Sequence, residues 1–83
     1  MDKQIIKIVC FAGLRKYFGS ETSVTLETDS TYSKVIDELK LTKPEATDVL
    51  SSCRIAVNEE FVLPEQKIES ADMLFLIPPS SGG

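Results

Sequence analysis

Near its carboxyl end this 83-residue chain runs through MLFLI, Met73 to Ile77, apolar at every position. Five residues are too few for a buried helix and enough for a strand. A strand apolar on both faces belongs in the middle of a sheet, where each face meets other side chains. The opening run IIKIVCF, Ile5 to Phe11, is β-branched and nearly as apolar. Its alternate residues divide into Ile6, Ile8 and Cys10 on one face and Lys7, Val9 and Phe11 on the other. Two interior strands are thus demanded at the outset, and the rest of the chain must supply their edges and their cover.

The supply is short. TSVTLET, Thr22 to Thr28, alternates with Val24 and Leu26 pointing one way, and an antiparallel hairpin with the first strand is its economical pairing. Between them AGLRKYFGSE reads as a short helical turn or loop stopped at Gly19. In STYSKVIDELKL, Tyr32, Val35, Ile36 and Leu39 form one helical stripe, with Ser30 or Thr31 offering the N-cap oxygen. TKPEATDVLSSC predicts a second helical stretch. Thr42 and Glu45 have capping-box spacing, Pro44 sits in the first turn, and Ala46, Val49, Leu50 and Cys53 share the apolar side.

RIAVNEEFV then gives a strand over Arg54 to Val57, a turn at Asn58-Glu59-Glu60 and a short strand carrying Phe61 and Val62. LPEQKIESAD is loop-like, with Pro64 opposing a central strand. The order β-β-α-(α)-β-β-β is that of an α+β fold, a small mixed sheet with one main helix packed on one face. Length allows one domain, read as residues 1–77, with 78–83 as a flexible tail.

One helix covers one side of a sheet. The first strand offers Val9 and Phe11 to the uncovered side, and the last offers either Met73, Phe75 and Ile77 or Leu74 and Leu76. Apolar surface left open in this way marks a partner site. The competing expectation is that the Gly13 to Ser20 loop folds over Phe11.

Charge and composition narrow the function. A net charge of -4 and no basic stripe oppose nucleic-acid binding. No apolar run nears the ~18 residues of a membrane span. MDKQ and the short run after it do not read as a signal peptide, so a cytoplasmic protein is expected. With two cysteines and no histidine there is no conventional four-ligand zinc site, and Cys10 and Cys53 read as buried, inert thiols. There is no P-loop, no histidine base and no metal cluster. No bound cofactor is expected for this chain, and any ATP chemistry belongs to partners.

The tail is the remaining candidate. In IPPSSGG, Pro78 and Pro79 each fix φ, remove backbone donors and end the ladder. Ser80, Ser81, Gly82 and Gly83 then make a narrow end. Six residues beyond Ile77 span at most about 20 Å. Glycines without a Cβ thread a slot that any side chain would block. These are properties of a group delivered into another protein's active site; by themselves they leave an inert terminus open.

IPPSSGG, the FAGLR that follows the opening strand and AVNEEFV together resemble the family of molybdopterin synthase small subunits, ubiquitin-like sulfur carriers of the MoaD/ThiS kind. The resemblance runs from Ile5 to Gly83. Pro-Pro-x-x-Gly-Gly is its specific element, since a bare Gly-Gly is shared with ubiquitin and the thiamine-pathway carrier.

The resemblance implies a β-grasp fold and a non-catalytic carrier subunit of a sulfurtransferase complex. An E1-like activating enzyme would use ATP to adenylate the Gly83 carboxylate, and a sulfur-donor enzyme would turn it into a thiocarboxylate. Pro78, Pro79, Ser80, Ser81 and Gly82 would carry it into the large catalytic subunit. There the sulfur passes to a cyclic pterin precursor in molybdenum cofactor biosynthesis. The implied assembly is a heterotetramer, two carriers flanking a dimer of large subunits.

By position, Phe11, Phe61 and Ile77 would contact both large subunit and activating enzyme, with Phe75 on the same strand face as Ile77. Arg15 matches a basic position suited to a partner carboxylate, or is an ordinary solvated charge. Two departures stand out: Ala71-Asp72 where a Gly-Asp turn is common, and Ser80-Ser81 where the first residue is usually aliphatic. The rival readings are a carrier for thiamine or another sulfur pathway, a ubiquitin-like protein modifier, and a β-grasp adaptor with an inert tail.

Overall fold

The computed structural model describes residues 2–69 and 73–79. The first strand, β1, spans Lys3–Cys10 and pairs antiparallel with β2, Glu21–Glu27. The last strand, β5, spans Met73–Ile77 and lies parallel to β1 on its other side. The strands β3, Arg54–Val57, and β4, Glu60–Val62, complete one sheet in the order β2-β1-β5-β3-β4. The two strands with apolar residues on both faces are therefore interior, as their composition demands. First and last strands parallel at the centre, hairpins outside and a helix across one face make the β-grasp arrangement.

Alternation decides which face is dry. Ile6, Ile8 and Cys10 are fully buried on β1, as are Leu74 and Leu76 on β5. Val24 and Leu26 of β2 and Ile55 of β3 join them. Onto this face packs α2, Tyr32–Thr42, through Tyr32, Val35 and Leu39, with Ile36 half-buried at its side. A 3-10 turn at Pro44–Ala46 leads into α3, Thr47–Ser51, which adds Ala46 and Leu50.

The segment between β1 and β2 folds toward the same side. Ala12–Leu14 forms a 3-10 turn and α1 spans Arg15–Phe18, ending on Gly19 at φ 76. Leu14 is fully buried, and Tyr17 and Phe18 pack against the core. The loop thus covers the helix side and leaves Phe11 partly open on the other.

Two local expectations are corrected, and a third, the loop before β5, holds with one addition. No side-chain oxygen caps α2. Thr31 Oγ1 instead meets Ser33 Oγ at 2.9 Å. The amides of Tyr32 and Ser33 donate to the carbonyls of Gln66 (3.0 Å) and Pro64 (2.9 Å), so a distant loop satisfies the helix start.

The Thr42–Glu45 capping box is also absent, because α2 continues through Thr42, whose hydroxyl donates to the Glu38 carbonyl at 3.0 Å. A residue in the last helical turn cannot hold the extended backbone of an N-cap. Lys43 takes that place with Pro44 behind it. Finally, the stretch read as plain loop sends Ile68 into the core at 3% exposure. Its amide donates to the Ser30 carbonyl at 2.9 Å, and Lys67 forms a bridge with Thr31.

Candidate functional site

The side of the sheet away from α2 has no helix among the described residues, and its character changes from edge to edge. At the β2 edge it presents Glu21, Ser23, Thr25 and Glu27, opposite Val9, Lys7, Ile5 and Lys3 of β1. Toward the other edge it becomes apolar. Phe75 stands between Val9 of β1 and Ala56 of β3, and Ala56 is paired in turn with Phe61 of β4. Met73, Phe75 and Ile77 occupy the open side, while Leu74 and Leu76 point into the core, which resolves the choice left by the sequence.

Four of the predicted contact residues meet here. Phe11, Phe61, Phe75 and Ile77, with Ala56 and Glu59, line a shallow concavity of about 210 Å³. The rings of Phe11 and Phe75 lie 6.0 Å apart at 36°, a tilted aromatic contact that holds the floor. Phe61 is 61% exposed, an unusual position for a phenylalanine in a free domain. The Arg54 guanidinium carbon sits 5.5 Å from the Phe61 ring centre, within cation–π range.

Arg15 stands at the margin. It does not line the concavity, and its Nε donates to the Cys10 carbonyl at 3.2 Å, anchoring the side chain beside the end of β1. The root of the tail adjoins the patch. Ile77 ends β5, and Pro78 and Pro79 follow it into a second depression shared with Ser52, Arg54 and Phe61. Ser80, Ser81, Gly82 and Gly83 lie outside the described residues, as does the Ala71-Asp72 departure.

Sequence reasoning missed Ala56, Glu59 and Arg54. The two-residue turn after β3 would have found them, because it sets Ala56 opposite Phe61 and brings Glu59 to the same corner. Both thiols are held toward the protonated form. Burial pushes Cys53 up to about 11, with Cys10 adding to the effect, and burial likewise raises Cys10 despite the opposing charge of Arg15. No cluster of three potential metal ligands occurs among the described residues. No helix there is long and apolar enough to cross a membrane. Among the described residues the geometry offers an open apolar face beside the root of the tail.

Comparison with known proteins gives this arrangement a lineage. Residues 8–83 match the ThiS family. The chain belongs to that family. Within it, this ThiS-family chain is similar to the "Molybdopterin synthase sulfur carrier subunit" of Arabidopsis thaliana, 35% identical over 79 residues, covering 94% of this chain and 82% of that one. The protein of the same description from Dictyostelium discoideum is 36% identical over 81 residues, covering 93% and 94%.

Among solved structures, SAMP1 from Haloferax volcanii superposes with a TM-score of 0.79 at 24% identity, over 96% of this chain and 100% of that one. A chain from the complex of subunits 1 and 2 of the molybdopterin-converting factor of Helicobacter pylori gives 0.60 at 18%, covering 96% and 100%. At those identities the structures speak to the fold, which is the ubiquitin-like β-grasp.

Proposed function

We propose that this chain is the sulfur carrier subunit of a molybdopterin synthase, working in the cytoplasm. The observation that carries the reading is the likeness, across more than nine-tenths of its length, to two proteins described as that subunit. The apolar face beside the tail root supports it. A carrier must be held by its body while its end reaches elsewhere.

In this reading an E1-like enzyme activates the Gly83 carboxylate. A carboxylate is a poor electrophile because its leaving group would be oxide. Attack of its oxygen on the α-phosphorus of ATP expels pyrophosphate and leaves an acyl-adenylate, whose leaving group is AMP. The outer sulfur of a donor enzyme's persulfide then attacks the carbonyl carbon and the C–O bond to AMP breaks; a second thiol takes the donor's sulfur into a disulfide, cleaving the S–S bond and releasing the thiocarboxylate. Carrying the sulfur covalently divides one hard insertion into easier steps. The thiocarboxylate is a soft nucleophile at neutral pH. In the large subunit its sulfur attacks a carbon of the pterin precursor, displacing an oxygen leaving group, and water then cleaves the resulting thioester, leaving the sulfur on the pterin and restoring the carboxylate.

The residues of this chain bind and deliver. Phe11, Phe61, Phe75 and Ile77 dock on the partner. Covering Phe61, 61% exposed, contributes at most roughly 1.5–3 kcal/mol before the cost of association, and the other three, already half-buried, contribute less. Pro78 and Pro79 stiffen the stem, Ser80 and Ser81 extend it, and Gly82 and Gly83 pass where side chains cannot. Arg15, fixed at the patch margin, meets a partner carboxylate.

Co-expression with the activating and sulfur-donating enzymes tests the proposal. The intact mass is expected to shift by one oxygen-to-sulfur exchange, lost when Gly83 is deleted. An unchanged mass with enzymes proven active on another carrier would overturn it, and conjugates on lysines would assign the chain to the protein modifiers instead.

A further inference from the structure

Glu59 occupies a position that ordinary turn chemistry gives to glycine. The link from β3 to β4 is a two-residue turn between the paired Val57 and Glu60, with φ 53 at Asn58 and φ 68 at Glu59. Both central residues at positive φ is the signature of a type I′ turn, whose favoured sequence is Asn-Gly. Asparagine tolerates the left-handed region and glutamate is strained there. Among the described residues no hydrogen bond to the Glu59 carboxylate stabilises the free domain in return. What the strain achieves is placement. Glu59 is the one charged residue lining the concavity, beside Phe11, Ala56, Phe61, Phe75 and Ile77. Arg54 does not line this hollow.

We infer that Glu59 selects the partner of this face by requiring a lysine or arginine opposite it. The inference rests on the docking reading above and gives that docking a chemistry. An apolar hollow with a single carboxylate at its rim fits a side chain that buries an aliphatic stem and keeps a cationic head at the edge. An acidic or purely apolar partner surface would leave the carboxylate repelled or desolvated without a counter-charge, and so be rejected.

The test titrates the large subunit of molybdopterin synthase from the same organism with the full-length chain, as wild type, Glu59→Gln and Glu59→Gly. Kd is measured at low and high salt, and thermal midpoints are measured on the free chains. Both variants are expected to weaken Kd about three- to tenfold at low salt, with the gap narrowing as salt screens the pair. Glu59→Gly is expected to raise the midpoint of the free domain by about 2–6 °C, and Glu59→Gln to leave it in place.

Binding and stability then move in opposite directions, which a structural role would not produce. Equal Kd for Glu59→Gln and wild type overturns the inference while leaving the docking reading intact. A lowered midpoint in Glu59→Gly also overturns it, since the carboxylate would then serve the fold. Absence of wild-type binding sinks the docking reading and this inference with it. Self-association of the wild type through the same face assigns the hollow to a second copy, and likewise overturns it.

Discussion

Leu74 and Phe75 are neighbours on one strand and live in different solvents. Leu74 is 1% exposed against the helix layer, whereas Phe75 lies on the open side with its ring on Phe11. The same division runs through β1, where Ile8 is wholly buried and Val9 is not. Both faces of the central strands are apolar, yet α2 and α3 cover one. The covered face accounts for folding. The open face is apolar surface that the free domain does not need, and its richest part gathers where the chain leaves for the tail. Stability and, on the proposed reading, recognition are thus encoded in alternate residues of the same strands.

The largest effect that separates the faces is on stability. Leu74→Ala is expected to destabilise by about 2–5 kcal/mol, through lost transfer energy and the cavity left behind. That is a large part of the roughly 5–15 kcal/mol available to a domain. Phe61→Asp is expected to change unfolding free energy by about 1 kcal/mol, from the lost Arg54 contact and poorer strand propensity, because the ring is mostly in water. Urea titration of both variants measures the contrast. Comparable losses would mean that the open face also holds the fold together.

Docking inverts the ranking and is the next largest effect. Phe61→Asp is expected to weaken the complex with the large subunit at least about tenfold, near 1.4 kcal/mol, by removing an anchor and setting a carboxylate where an apolar side chain is covered. The folded fraction should stay unchanged by circular dichroism. Unaltered affinity in calorimetry would remove Phe61 from the interface and break the division between the faces.

How far the sequence discloses this division depends on the range of each interaction. The interior position of β1 and β5 is legible because two-sided apolarity is a local property of MLFLI and IIKIVCF. The open face follows from counting helices against faces. What escaped were contacts made across the fold. Nothing near Thr31 says that Pro64 and Gln66 will satisfy the start of α2, and the lone apolar residue of QKIE does not say that its amide will meet the Ser30 carbonyl. At the candidate site Phe11, Phe75 and Ile77 could be placed by strand alternation. Arg54 and Glu59 needed the register of the β3–β4 hairpin, fixed by a turn whose Asn-Glu sequence lacks the expected glycine.

The smallest effect probes the dry side itself. Cys10 is wholly buried, whereas Cys53, expected to be buried too, is only partly so; both have little water to hydrate a thiolate. Burial holds the Cys53 proton to about pH 11 where an ordinary thiol releases it near 9.0, and raises Cys10 in the same direction. The folded chain therefore binds these protons more tightly than the unfolded chain. Their contribution is fully present below pH 9 and is lost as pH rises through about 11. Cys53→Ala removes that linkage together with the Sγ donation to the Val49 carbonyl. The lost hydrogen bond lowers stability by much the same amount at every pH below 9, so the informative quantity is the change in the gap. The thermal midpoint of wild type is expected to fall toward that of Cys53→Ala between pH 9 and 11, by a few degrees once the partial exposure of Cys53 is allowed for. Rapid iodoacetamide labelling of native Cys53 at pH 8 would show instead that water reaches the core side, and the contrast between the faces would then be one of degree.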